Sequence, residues 1–339
     1  MRSVPARITE REQVRNMVEL ENQNKDTLAQ SMQEPLPCGG NDPAGNRRST
    51  IALILSTLAL LVACAALILQ LSSGNRDEAE PDEMPADREE TEQAAATLQY
   101  RNHILPVLEN VPINGYDEEQ FSRDERGFIR YLDAPVGIDV SSYQGEIDWE
   151  QVSASGVEFA MIRLGLRGYT KGGISEDAMF ERNIKGALAA GLDVGVYFFS
   201  QAIDPQEAEE EAAFVLERIA PYRVSYPVVF DWESISDASA RTKGLGSDAV
   251  TSCAAAFCDR IAEAGYEPMI YFNMDQGYLS YRLDRLTDYA FWLAEYHDSP
   301  GFYYDFDFWQ YSHSGSVPGI EGAVDLDLNL RAYNRNAGD

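Results

Sequence analysis

Little in this chain equips it for metal or redox chemistry. Its three histidines, His103, His297 and His313, do not cluster in the sequence, so neither His-based catalysis nor a metal site is expected, and no cofactor follows. Its four cysteines show no metal-type spacing and no disulfide framework. Cys253 and Cys258 share one amphipathic stretch and would point about 140° apart around a helix, so a bridge between them would break it. They read as buried thiols that pack as small hydrophobes. Positive charge is scarce as well: 27 Lys and Arg stand against 56 Asp and Glu, a net charge of −29. Such an acidic body repels phosphate backbones, which argues against nucleic acid as a partner. The glycine-rich phosphate turn of an open, doubly wound sheet is also missing.

Long apolar runs are absent with one exception. Residues 51–71, IALILSTLALLVACAALILQL, are 21 uncharged positions, enough to cross a bilayer core. Arg47 and Arg48 precede them, and Asp77, Glu78, Glu80, Asp82 and Glu83 follow. Basic flanks stay on the cytoplasmic side, so a single span is expected, with the lipid bilayer as partner, the amino terminus inside and the long carboxyl-terminal part outside. The rival reading is a lipid-attachment box, Leu61-Val-Ala-Cys64. The long polar stretch before Arg47 and the apolar AALILQL after Cys64 oppose it. Residues 1–50 then form a polar cytoplasmic tail that carries no chemistry, broken by Pro35, Pro37, Gly39 and Gly40. Residues 72–134, with sixteen acids against six bases, read as an extended acidic stalk. Ile104, Leu105, Val107 and Leu108 give its end the makings of a short helix.

From residue 135 to about 335 the texture becomes regular. Apolar strand patterns fall at 136–141, 158–165, 193–200, 226–233, 267–273, 288–296, 306–312 and 324–330. Between them lie helical repeats such as Phe180, Ile184 and Leu188, then Ala212, Val215, Leu216 and Ile219. Serial β-α units predict parallel strands with right-handed crossovers. The pattern over 276–287 is weak and the last two joins are short, which leaves fewer than eight helices. The expected fold class is therefore α/β, an irregular β/α barrel of eight strands with a reduced helix set.

The stretch Tyr226-Pro-Val-Val-Phe-Asp-Trp-Glu233 ends an apolar strand in two carboxylates. Alternation puts Asp231 and Glu233 on one face with Val229, and Val228, Phe230 and Trp232 on the other. Both faces look buried, as in a parallel strand, where two acids are costly unless they work. Barrel active sites sit at the carboxyl ends of strands. On that rule Asp139 of the first strand, and Asp325 with Asp327 of the last, converge on the same mouth. Aromatic residues that can stack on sugar rings join them: Tyr197 and Phe199, Tyr271, Trp292 and Tyr296, Trp309 and Tyr311.

Six segments occur in order: GIDVSSYQGEIDW, GVYFFSQA, YPVVFDWE, the W-x-A-x-Y of Trp292–Tyr296, FWQYS and VDLD. Over about residues 136–335 the chain thereby resembles glycoside hydrolase family 25, the N-acetylmuramidase type of lysozyme. The resemblance implies an eight-stranded irregular barrel outside a bacterial cell membrane. It also implies cleavage of the β-1,4 bond from N-acetylmuramic acid to N-acetylglucosamine in peptidoglycan glycan strands, with net retention. Position by position, Glu233 matches the general acid and Asp231 the second acid of the D-x-E pair. Asp139 and Asp325 match the acids of the first and last strands. An acid in an aromatic cleft beside other carboxylates is expected to keep its proton near neutral pH. Substrate contacts are expected from Tyr197, Tyr271, Trp292, Tyr296, Arg163 and Gln310. Arg163 stands where many members carry lysine, which keeps the charge and changes the geometry. The attacking group stays open: a carboxylate about 5–5.5 Å from its partner, or the substrate's own N-acetyl group oriented by Asp231. Two other functions compete. A wall-binding membrane sensor without turnover is opposed by the intact acids, and a chitinase-like hydrolase by the absence of a D-x-x-D-x-D-x-E run.

Overall fold

The computed structural model of the chain describes residues 96–333. The expected tail at 1–50, the membrane span at 51–71 and the first part of the stalk lie outside the described residues. Among the described residues, no helix is long and apolar enough to cross a membrane.

Two hairpins come first, β1 (Thr97–Tyr100) with β2 (His103–Pro106) and β3 (Phe121–Arg123) with β4 (Ile129–Tyr131). A sheet follows, built from β5 (Val136–Val140), β6 (Phe159–Arg167), β7 (Ile174–Glu176), β8 (Asp193–Ser200), β9 (Val228–Trp232), β10 (Pro268–Asn273), β11 (Ala290–Ala294), β12 (Phe308–Gly315) and β13 (Val324–Asn329). It closes on itself because β5 pairs with both β13 and β6, while β7 only extends the end of β6. All eight expected barrel strands are present, with ends displaced by up to three residues. The helices are α1 (Trp149–Ala154), α2 (Phe180–Ala189), α3 (Pro205–Ile219), α4 (Ser247–Glu263) and α5 (Met274–Leu279). None follows β11 or β12, in line with the short joins there.

Strand alternation divides the apolar residues into two layers. Outward side chains such as Ile162, Val196, Phe230, Ile270 and Leu293 pack with Ile184, Val215 and Phe257 of the helices. Inward side chains (Phe159, Met161, Val229, Met269, Tyr271, Trp292 and Phe308) fill the barrel. Helix α3 shows how sequence sets an end: Asp204 accepts the Glu207 N–H (3.0 Å), and Pro205 takes the first turn, where its missing N–H costs nothing.

Two expectations are corrected. Strand β13 is antiparallel to both neighbours rather than parallel. The link from Gly315 to Val324 holds no helix, and a parallel return needs a crossover of about a dozen residues or more. Among the described residues, the packed structure also takes in the stretch from Thr97 onward rather than beginning at 135. Residues 97–106, where a short helix was expected, form the first hairpin instead. Val111, Phe128, Ile129 and Tyr131 join the core. Main-chain bonds from Asn114 N to Tyr303 O (3.0 Å) and from Asp305 N to Pro112 O (2.9 Å) fasten this segment along the β11–β12 connection.

The lower end of the barrel is plugged by Phe159, stacked on Tyr226 (4.9 Å, 27°) and edge-on to Phe308 (5.3 Å). Gly137 of β5 faces this plug, and a Cβ there would run into the Phe159 ring. Gly137→Ala is therefore expected to lower unfolding free energy by about 1–3 kcal/mol through overpacking, read from urea unfolding of the two proteins.

Candidate active site

The parallel strands end at one rim of the barrel. Strand β13 begins there because it runs the other way. Asp139, near the end of β5, is consequently the register partner of Asp325, near the start of β13. Asp231, near the end of β9, lies beside Phe199 of β8 and Tyr271 of β10. Asp327 sits one pleat deeper, opposite Gly137 and Gln310. Asp139, Asp231, Asp325 and Asp327 are buried, at 3%, 5%, 6% and 0% exposure. Glu233, one step past the end of β9, keeps part of its surface exposed.

Buried carboxylates need donors, and the barrel interior supplies them. Gln310 Nε2 donates to Asp139 Oδ2 (2.6 Å), while its Oε1 accepts from the hydroxyls of Tyr271 and Tyr296, each at 3.0 Å. This pattern dictates the amide's orientation, since the carboxylate calls for a donor and the phenols for an acceptor. Burial lifts the Tyr271 phenol well above its ordinary pKa, and the charges of Tyr296, Glu233, Asp231 and Asp139 lift it further. It therefore stays protonated as a donor, and it feels three of the four expected acids. Trp292 Nε1 donates to Asp327 Oδ1 (3.0 Å). Its ring stands edge-on to Tyr271 (5.0 Å) and Tyr197 (6.2 Å), forming the floor of the mouth.

The residues expected to bind substrate thus divide by depth. Tyr197 and Tyr296 retain exposed surface. Trp292, Gln310 and Arg163 are each 1% exposed, and Tyr271 is 6% exposed. The structure places Arg163, expected at the substrate, against the loop after Asp139. Its Nε pairs with Asp177 Oδ2 at 2.9 Å, and its Nη2 reaches Ser142 Oγ at 3.3 Å. Asp177 also accepts the Ser142 N–H (3.1 Å), so the buried pair fastens the loop after Asp139 from beneath. Sequence reasoning missed Asp177, which follows a short strand with no pattern of its own. It also missed Glu295, although an acid between Ala294 and Tyr296 on an apolar strand end was a usable signal. Glu295 is 3% exposed and accepts the N–H groups of Gly301 (3.0 Å) and Phe302 (3.1 Å), which holds the turn beside Tyr296.

A barrel mouth with several acids and stacking aromatics is equipment for glycoside cleavage. The sequence profile of glycosyl hydrolases family 25 matches residues 138–320. The autolytic lysozyme of Clostridium acetobutylicum is 32% identical over 196 residues, 56% of this chain and 54% of that protein. The modular autolysin LytC of Streptococcus pneumoniae, solved in complex with a synthetic peptidoglycan ligand, superposes with a TM-score of 0.51 at 26% identity, over 64% of this chain and 52% of that one. A family 25 glycosyl hydrolase from Bacillus anthracis shares the fold, with a TM-score of 0.50 at 22% identity over 63% of this chain and 94% of that one. The chain belongs to glycosyl hydrolases family 25. It spans about half the length of the clostridial and pneumococcal relatives.

Burial raises the Glu295 pKa from 4.5 to about 7, while the N–H groups of Gly301 and Phe302 pull it down. A folded-state pKa above the unfolded one contributes stability that is complete below the unfolded value and lost as pH rises through about 7. Glu295→Gln cannot ionise. The fall in unfolding free energy between about pH 5 and about pH 8 is expected to be smaller in this variant than in wild type, as compared by urea titrations at both pH values.

Proposed function

We propose that this family 25 barrel is a muramidase. It cleaves the β-1,4 bond from N-acetylmuramic acid to N-acetylglucosamine in peptidoglycan glycan strands, with net retention. The observation that carries this reading is the unequal exposure of the acids: Asp139, Asp231 and Asp325 are buried at 3%, 5% and 6%, while Glu233 stays accessible at the rim. Only an accessible carboxyl can meet the glycosidic oxygen of a polymer. The clostridial relative, named an autolytic lysozyme, and the peptidoglycan-bound pneumococcal relative support the choice of substrate.

In this reading Glu233 gives its proton to the glycosidic oxygen as the C1–O bond breaks. Positive charge develops at the sugar, and Asp139, Asp231 and Asp325 oppose it from the low-dielectric floor. The carbonyl oxygen of the substrate's own N-acetyl group attacks C1, with its N–H held by Asp231. Water then opens the resulting ring at C1 and returns a proton to Glu233, so two inversions leave the configuration retained. Tyr197 and Tyr296 stack on the sugar rings.

Mass analysis of purified peptidoglycan treated with the protein tests the reading. Fragments with reducing-end muramic acid are expected, and unchanged sacculi would overturn it. Glu233→Gln fills the same volume without a transferable proton, so turnover is expected to fall by at least about 10²–10⁴-fold with the fold intact by circular dichroism.

The same proposal places the barrel outside a bacterial cell membrane, held by residues 51–71. The support is the order of charges, Arg47 and Arg48 before the run and acids after it. In a Cys38→Ser background, Ser73→Cys should react with an impermeant thiol reagent on intact cells once any outer membrane is permeabilised. Asn46→Cys should react only after lysis. The reverse pattern would put the barrel in the cytoplasm and remove the substrate.

A further inference from the structure

Strand β9 ends at Trp232, yet keeping Asp231 and Glu233 on one face requires extended backbone beyond that point. The register of β9 with β10 stops at Asp231, and that with β8 stops at Trp232. Two side-chain amides continue the ladder. Gln276 Nε2 donates to the carbonyl of Trp232 (2.7 Å), and Gln201 Nε2 donates to the carbonyl of Glu233 (2.8 Å) and to that of Ser200 (2.9 Å). Both side chains are buried, at 3% and 0% exposure.

Neither amide is free to turn over. Gln276 Oε1 accepts the Asn273 N–H (2.9 Å) in the capping box that starts α5. Gln201 Oε1 accepts the Thr242 hydroxyl (2.9 Å). A reversed amide would turn an acceptor toward each of these main-chain carbonyls. The Gln201 carbonyl in turn accepts from Arg241 Nη1 (2.9 Å), whose guanidinium grips Glu207 with two contacts of 2.6 Å. One glutamine therefore pins both ends of the segment that leaves the rim at Glu233 and returns at Thr242.

We propose that Gln201 and Gln276 are positioning residues for Glu233. They extend β9 by one residue with side-chain hydrogen bonds, and so fix the height and direction of the Glu233 carboxyl relative to Asp231. The inference rests on the reading of Glu233 as the proton donor. Neither glutamine touches substrate, so their loss acts through placement of that carboxyl.

Gln201→Met and Gln276→Met keep side-chain length and remove the amide. On solubilised peptidoglycan each is expected to lower kcat by about 10–100-fold, with KM held within about threefold, since a misplaced reacting group costs rate rather than binding. The alkaline limb of the kcat–pH profile should also move, because the spacing of Glu233 from the Asp231 charge has changed. A general loosening of the fold would move the thermal midpoint and leave that limb in place. Folded variants with kcat within about threefold of wild type and an unmoved limb overturn the inference. Should the Met variants fail to fold, Thr242→Val removes only the hydroxyl that orients Gln201. A kcat drop of about 2–10-fold with the limb moved the same way supports the inference there, and wild-type behaviour overturns it. Wild-type protein that releases no fragments in this assay strikes the muramidase reading and the inference together. Active wild type with unaffected variants strikes the inference alone.

Discussion

Closing the sheet through β5 and β13 sets Asp139 and Asp325 opposite each other, and the interior of the barrel answers the problem this creates. Like charges directly across a ladder repel, and burying them removes the water that would screen them. The protein meets that cost with a connected set of donors: Gln310 on Asp139, Trp292 on Asp327, and the phenols of Tyr271 and Tyr296 on Gln310. Residues expected to touch substrate therefore also hold the buried acids in place. Buried polar contacts of this kind also help specify one arrangement of the core, because each member removed leaves another unpaired.

The rim is organised by a second recurring device. Strand ends are followed by irregular backbone whose polar groups would otherwise face an apolar wall, and buried side chains take them up. Asp177 holds Ser142, Glu295 holds Gly301 and Phe302, Gln276 holds Trp232, and Gln201 holds Glu233. The segment 97–134 adds an outer brace along the β11–β12 connection, the longest link without a helix in the barrel. Loops built this way behave as extensions of the strands, which suits a site whose acids must keep fixed spacings.

Much of this was legible in the sequence, for identifiable reasons. Strand positions showed because both faces are apolar, and the D-x-E pair showed because alternation puts its members together. Asp325 reached the correct mouth by an incorrect route. In a parallel last strand it would lie at the bottom, since it stands at the strand's beginning; the reversal of β13 brings it to the top. The hairpin at 97–106 was hidden because a few apolar residues in an acidic stretch do not distinguish period 2 from period 3.6. The pairing of Arg163 with Asp177, 14 residues on, was not legible because buried pairing leaves no local pattern. The glutamines were hidden for a similar reason: Gln201 was visible within GVYFFSQA, but nothing local says which carbonyls its amide meets.

Depth separates the proposed roles of the acids. A group that opposes charge acts through space, and it acts more strongly where the dielectric is low. Asp139 and Asp325 suit that work, and Asp231 adds to it the proposed hold on the substrate's N–H. A proton donor must instead reach both the glycosidic oxygen and the water that restores it, so it has to stand at the surface. Side chains two residues apart on one strand differ in height by about 6–7 Å, from a rise of 3.2–3.4 Å per residue. With Asp231 inside the last regular pairing and Glu233 just past it, that single step carries one carboxyl from the floor to the rim. The step holds only while the backbone stays extended through Glu233. Hydrogen bonds from Gln201 and Gln276 are made at that point, where strand pairing has run out.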